Sequence, residues 1–322
     1  MTIVRQPTRA GVRDAAAKVA SILPQTPLFV HEIRGVPVCF KAECLQPIGA
    51  FKIRGAWHRL TALDGVARER GVVAFSSGNH AQGVAWAAKK LGMPAVIVMP
   101  ADAPKVKRDA TLAMGAEVVA YDRATESREK IAAHLAHARG ATLVPSFDDP
   151  WIIEGQGSAG IEAMSQIVEA KLPDFENVLV PCGGGGLAAG LALALPDAEI
   201  IVVEPEGWDD MTRSLEAGWI EPVGDNPPPT ACDALQTTRV SPLTFDVLSR
   251  RGATGLAVSE AEIRAAQRWA AAKLRVVVEP GGAVALAALL AGKVDVKPGL
   301  LVVLSGGNAD PDAYANVLSG KD

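Results

Sequence analysis

The sequence predicts an α/β protein with two open, mostly parallel sheets, the smaller inserted into the larger. Short β-branched runs alternate with Ala-rich amphipathic stretches, the pattern of strand–helix units around a parallel sheet. Each run ends in Gly, Pro or Ser, the residues that punctuate strand-to-helix turns. Between Gly71 and about Pro145 the units are compact and the strands short, whereas the flanking segments carry longer apolar runs and the other Gly-rich loops. Boundaries follow at 1–67 for the first part of the large domain, 68–147 for the small domain and 148–322 for the rest of the large one.

In chain order the strands are expected at 71–75, 95–99, 117–120, 177–180, 199–203 and 299–304. Of the 322 residues, 49% are hydrophobic, enough to fill the core of one large or two ordinary domains and to exclude a disordered or fibrous chain. The net charge of −4 gives no basic surplus for nucleic acid or an anionic membrane, so a small-molecule partner is expected. The N-terminus has no apolar signal region, and the longest apolar stretches, such as 187–195, fall far short of the ~20 residues that span a bilayer. A cytoplasmic protein is expected. Cys39, Cys44, Cys182 and Cys232 form no C-x-x-C pair and read as free thiols of a reducing compartment.

In an open sheet, ligands bind at the C-terminal ends of the strands, which directs attention to five segments. Lys52, flanked by Phe51 and Ile53, stands among apolar runs that depress an amine's pKa and make it nucleophilic. After the first strand, Ser76, Ser77, Gly78, Asn79 and His80 open a helix that Gly92 and Pro94 stop near Leu91; hydroxyls, an amide and helix N–H groups suit a carboxylate. Gly183, Gly184, Gly185 and Gly186 lack every Cβ, so the backbone can aim several N–H groups at a phosphate before an Ala/Leu-rich helix. Glu279 and Ser305 each place one polar group beside glycines at a strand end, where a planar ligand can approach. Read alone, Gly184-x-Gly186-x-x-x-Gly190 with Glu204 about twenty residues on also resembles a dinucleotide loop, so an NAD-dependent oxidoreductase stays open at this point.

Together these segments resemble the serine/threonine dehydratase and serine racemase family of fold type II pyridoxal-phosphate enzymes, whose architecture is tryptophan synthase beta-like. The likeness covers nearly the whole chain in the right order. It implies that Lys52 in F-K-x-R-G attaches pyridoxal 5'-phosphate beside Phe51, that Gly183, Gly184, Gly185, Gly186 and Leu187 hold its phosphate, that Asn79 bonds the pyridine 3-hydroxyl, that Ser305 faces the ring nitrogen and that Glu279 lies near the ring. Ser76, Ser77, Gly78, Asn79 and His80 would bind the substrate carboxylate. Glu204, the backbone carbonyl of Trp208 and Asp210 match the family's divalent-cation site, where all-oxygen ligands suit Mg²⁺, Ca²⁺ or Mn²⁺.

The implied activity is dehydration of a β-hydroxy amino acid (threonine, serine or 3-hydroxyaspartate) to a 2-keto acid and ammonia. A ring nitrogen facing a neutral hydroxyl is not held protonated, which weakens the electron sink and favours loss of a β-substituent over transamination. The alternative is a serine or aspartate-type racemase with side elimination, in which Ser77 serves as the second acid/base. Arg128 matches a small-domain position at which racemases bring an Arg towards bound dicarboxylates. Ile48, Ala50 and Ser158 depart from the commonest family residues at their positions. The chain ends soon after Ser305, so the C-terminal regulatory domain of biosynthetic threonine dehydratases is not expected. A homodimer is an expectation from the family.

Overall fold

The computed structural model describes residues 5–76, 78–103 and 105–321. A six-stranded sheet contains β1 (Leu28–Ile33), β2 (Val36–Lys41), β7 (Asn177–Pro181), β8 (Glu199–Pro205), β9 (Thr254–Val258) and β10 (Leu300–Val303), in the order β1-β2-β10-β7-β8-β9. A four-stranded sheet contains β3 (Val72–Phe75), β4 (Ala95–Pro100), β5 (Glu117–Tyr121) and β6 (Thr142–Leu143), in the order β5-β4-β3-β6. All pairings are parallel except β1 with β2. All six strands expected from sequence are present; β1, β2, β6 and β9 are additions.

The β1–β2 hairpin turns on Arg34 (φ 52°) and Gly35 (φ 80°), a two-residue turn with both φ values positive that matches the right-handed strand twist. Arg in the first of these positions hides the Asn-Gly or Asp-Gly signal that betrays such hairpins in sequence, and Pro37 near the start of the second strand weakens its strand pattern.

Alternation along each strand builds a core on both faces of the large sheet. Val178, Val180, Leu301 and Val303 pack with α1 (Arg9–Ala20), α7 (Pro150–Ala170) and α8 (Gly186–Ala194). Their neighbours Leu179, Leu300 and Val302 turn to the opposite face, against α11 (Glu260–Trp269) and α12 (Pro280–Leu290). This is a doubly wound sheet. The small sheet is covered likewise. Val72, Ala74 and Ile97 meet α4 (Asn79–Leu91) and Ala56 and Leu60 of α2 (Lys52–Thr61), while Val73, Val96 and Val98 meet α6 (Arg128–Arg139). The four cysteines are buried and unbridged. Among the described residues no helix is long and apolar enough to cross a membrane.

Candidate active site

A cavity of about 930 Å³ opens where β3, β7 and β10 end, lined by the segments around Lys52, Asn79, Ser146, Gly184, Glu279 and Ser305. Lys52 is the first residue of α2, and its Nζ donates to the Ser146 carbonyl at 2.8 Å. Burial lowers the amine's pKa from 10.5 to about 8. The Phe51 ring lies 5.0 Å from the Nζ. Two residues on, the fully buried Arg54 is gripped by Glu43 through Nε–Oε2 (2.7 Å) and Nη2–Oε1 (2.8 Å), and also meets Glu162 (2.9 Å). Gly55 lets α7 cross close behind, since a Cβ there would lie 2.9 Å from the Ile152 carbonyl.

Opposite stands the glycine loop between β7 and α8. Gly185 takes φ 84° just before the helix begins, a left-handed conformation that favours glycine. A Cβ on Gly184 would overlap the Phe147 ring, and one on Gly185 would lie 2.6 Å from Met211. Thr244 Oγ1 fixes the loop by donating to the Gly184 carbonyl at 2.8 Å. The first N–H groups of a helix have no intrahelical partner, and here Gly183, Gly184, Gly185, Gly186 and Leu187 line the cavity at that end of α8. Gln156 Oε1, buried without a hydrogen-bond partner among the described residues, lies against Gly186.

Asn79, Glu279 and Ser305 line the same cavity as Lys52 and the glycine loop. Asn79 Nδ2 donates to Glu279 Oε1 at 2.6 Å, and Asn79 Oδ1 accepts from Asn308 Nδ2 at 2.7 Å. Ser305, nearly buried, lines the cavity and accepts from Phe51 N–H through its carbonyl. His80 is buried, with Nε2 bonded to the Val144 carbonyl at 2.9 Å. Burial and the nearby Lys52 charge push its pKa down to about 3, so it is a neutral ring that donates through Nε2. Ser76 Oγ accepts from Gly78 N–H at 3.1 Å and both residues line the cavity; Ser77 lies outside the described residues. Arg128 reaches the cavity lip, its guanidinium 5.6 Å from the Phe75 ring centre and its Nε bonded to Glu129.

Glu204, Trp208 and Asp210 lie apart from this cavity lining, at the end of β8 and the start of α9 (Asp210–Ala217). Glu204 Oε1 accepts from Met211 N–H, and Oε2 from Thr212 N–H and Oγ1. Asp210 Oδ2 accepts from Val240 N–H, and the Trp208 indole donates to the Pro228 carbonyl. Burial pushes Glu204 up to about 8 and Asp210 to about 7, and the Asp210 charge adds to the rise at Glu204. Both Glu204 oxygens are held by the first residues of α9. Among the described residues no group of three or more His, Cys, Asp or Glu is arranged around one point.

Sequence reasoning named the five segments but missed Asn308, Gln156 and Thr244. Asn308 ends the Ser305 segment, where only the serine had a role. Gln156 and Thr244 act through helices α7 and α10 (Pro242–Arg250), with no local signal. Residues 146–150 and 233–238 are further segments that the sequence directs to the site; all of them but Pro150, which opens α7, line the cavity.

A lysine amine of lowered pKa, a glycine cradle for a phosphate and a neutral hydroxyl around one gap fit pyridoxal phosphate. The family model described as "Pyridoxal-phosphate dependent enzyme" matches residues 20–306. The chain belongs to that family. It is 38% identical over 325 residues to an L-threo-3-hydroxyaspartate ammonia-lyase of Saccharomyces cerevisiae, with 98% of each chain covered. A serine racemase of Schizosaccharomyces pombe is 37% identical over 97% of this chain and 98% of that one. The crystal structure of the T.th. threonine deaminase superposes with a TM-score of 0.87 at 41% identity, covering 94% of this chain and 99% of that one. Within the family the chain is therefore a pyridoxal-phosphate-dependent lyase of the threonine/serine dehydratase type, with the fold type II architecture. The dinucleotide reading of the Gly184–Glu204 unit gives way to this match.

Proposed function

We propose that this lyase takes 3-hydroxyaspartate in preference to threonine or serine, releasing a 2-keto acid and ammonia, with Lys52 as its catalytic amine. The observation that carries the residue assignment is the meeting of Lys52, the glycine loop and Ser305 in one cavity. Arg128 at the lip supplies a cation for a second carboxylate, and the hydroxyaspartate-specific name of the yeast relative supports that choice.

Pyridoxal phosphate, when bound, supplies the electron sink that acidifies the Cα–H bond of an amino acid. Gly183, Gly184, Gly185, Gly186 and Leu187 would hold its phosphate, and Asn79, Glu279 and Ser305 its ring, with Phe51 beside it. Ser305 would offer the ring nitrogen a neutral hydroxyl rather than a carboxylate. Ser76, Gly78 and the N-terminus of α4 bind the substrate carboxylate, together with Asn79 and His80, and Ser77 belongs to the same loop. Lys52 takes the Cα proton. With a pKa of about 8 its neutral fraction at pH 7 is roughly 300-fold that of an ordinary lysine. In the overall reaction the Cα–H and Cβ–OH bonds break and water leaves; a second water then displaces the nitrogen as ammonia. Keto acid release from L-threo-3-hydroxyaspartate, abolished in Lys52→Ala, tests this reading.

The racemase alternative draws on the S. pombe relative and on Ser77 as a second acid/base. Recovery of D-serine from L-serine in excess over keto acid would favour it.

Glu204, the Trp208 carbonyl and Asp210 are proposed to hold Mg²⁺, or Ca²⁺ or Mn²⁺. The donor chemistry suits a hard cation, with two buried carboxylates, the Asp210 charge raising the Glu204 pKa, and oxygen lone pairs left over on each. A rise in melting temperature with added Mg²⁺ that Asp210→Asn abolishes tests the site. The domain division at 68–147, a homodimer and a cytoplasmic location complete the proposal. Light scattering and limited proteolysis test the first two.

A further inference from the structure

The geometry points to Asn308 as a positioning residue that fixes which end of the Asn79 amide faces the cofactor. This rests on the reading that Asn79 contacts the pyridoxal ring. An amide side chain has an accepting and a donating end, and only its partners decide which way it points. Here both ends of a chain of hydrogen bonds are unambiguous. Asn308 Nδ2 donates to the Ile48 carbonyl at 2.8 Å, and a carbonyl only accepts. The same NH₂ group therefore meets the Asn79 Oδ1 at 2.7 Å as a donor. Asn79 Nδ2 is thereby turned to the Glu279 carboxylate at 2.6 Å, another group that accepts. The NH₂ of Asn79 keeps one proton beyond the Glu279 bond, so Asn79 presents a donor, never an acceptor, to a ring oxygen in the cavity.

The placement of Asn308 is itself rigid. Gly307 N–H donates to the Gly49 carbonyl at 2.8 Å, Phe51 N–H to the Ser305 carbonyl at 3.1 Å, and Glu279 N–H to the Gly306 carbonyl at 3.0 Å. Gly49 runs at φ 75° with its Cα packed on the Asn308 amide, where a Cβ would lie 2.9 Å from Cγ. Asn308 thus joins the segment leading into Lys52 to the first turn of α4, and its orientation passes to Asn79. A donor aimed at the ring oxygen stabilises its deprotonated form, which sets both cofactor affinity and the colour of the bound cofactor.

The test is titration of pyridoxal phosphate into cofactor-free wild type, Asn308→Asp, Asn308→Ala, Asn79→Ala and the Asn79→Ala/Asn308→Asp double variant, following Kd and the position of the visible absorbance band. Asn308→Asp replaces the donor beside Asn79 Oδ1 with an acceptor and turns the amide over. We expect Kd to weaken about tenfold or more with a displaced band, and the double variant to match Asn79→Ala within about twofold, because Asn308 acts through Asn79. A wild-type Kd and band in Asn308→Asp, or losses that simply multiply in the double variant, would overturn the inference. Should circular dichroism show Asn308→Asp unfolded, Asn308→Ala with and without Asn79→Ala carries the same comparison. No uptake by wild type would instead defeat the cofactor assignment, and a wild-type Kd and band in Asn79→Ala would defeat the Asn79 contact.

Discussion

Lys52 Nζ and the Ser146 carbonyl are 2.8 Å apart, so the amine that begins α2 is tethered to the segment leading into α7. A carbonyl acceptor holds the amine in place without neutralising it, and burial alone sets its acidity. That has a direct consequence in pH.

Uptake of pyridoxal phosphate by the cofactor-free protein needs the neutral amine. Its rate is expected to rise with pH about a midpoint near 8, and borohydride trapping at pH 7 to label Lys52 ahead of the surface lysines. Folding shifts with the same group. The folded protein releases this proton near pH 8 while the unfolded chain keeps it to 10.5, so the Lys52 contribution to stability rises with pH between those values. Urea unfolding at pH 7, 9 and 10.5 checks this, and Lys52→Met removes the slope due to this residue.

Gly184→Ala puts a methyl into the Phe147 ring, which must shift. A loss of about 1–3 kcal/mol in unfolding free energy is expected, with weaker cofactor binding. Gly183→Ala, whose Cβ would stand 3.2 Å from Leu235 and Thr237, is the milder comparison. Equal melting temperatures for wild type and Gly184→Ala would contradict the packing account.

Much of the chemistry was legible in the residues, and what escaped did so for physical reasons. Lys52, the glycine loop, the 76–80 loop and Ser305 announce themselves because unusual chemistry demands unusual local sequence. Strands β3, β4, β7, β8 and β10 were readable because burial on both faces makes continuous apolar runs, and the edge strand β5 through its paired valines. The edge strands β1 and β9 are half-buried and carry a weaker pattern. Asn308 and Gln156 act across sequence separations of 229 for the Asn308–Asn79 pair and 10 for Gln156–Ser146, and only the first turn of α4 and the crossing of α7 bring them into place.

The Arg54–Glu43 pair is fully buried, so removing one partner strands a charge. Arg54→Met is expected to cost about 3–5 kcal/mol, and adding Glu43→Leu to recover much of it. Chemical denaturation of the single and double variants decides. A near-neutral single variant would show that the pair does not support the start of α2.

Arg128 is half-exposed at the cavity lip and shares its guanidinium with Glu129. Arg128→Ala is expected to lower kcat/KM for 3-hydroxyaspartate about tenfold relative to threonine, the scale of one solvent-accessible charge–charge contact with a substrate. An unchanged ratio would remove Arg128 from substrate selection.

The most direct test of the lyase account is proton NMR in D₂O of the cofactor-loaded protein with L-threo-3-hydroxyaspartate, L-threonine and L-serine. The account predicts 2-keto acid, fastest from L-threo-3-hydroxyaspartate, matched by an equal amount of ammonia in a separate enzymatic assay, and neither product with Lys52→Ala. Loss of the Cα proton signal from an otherwise intact amino acid, with no keto acid, would contradict it by showing reversible deprotonation without elimination, and would move the reading towards a racemase.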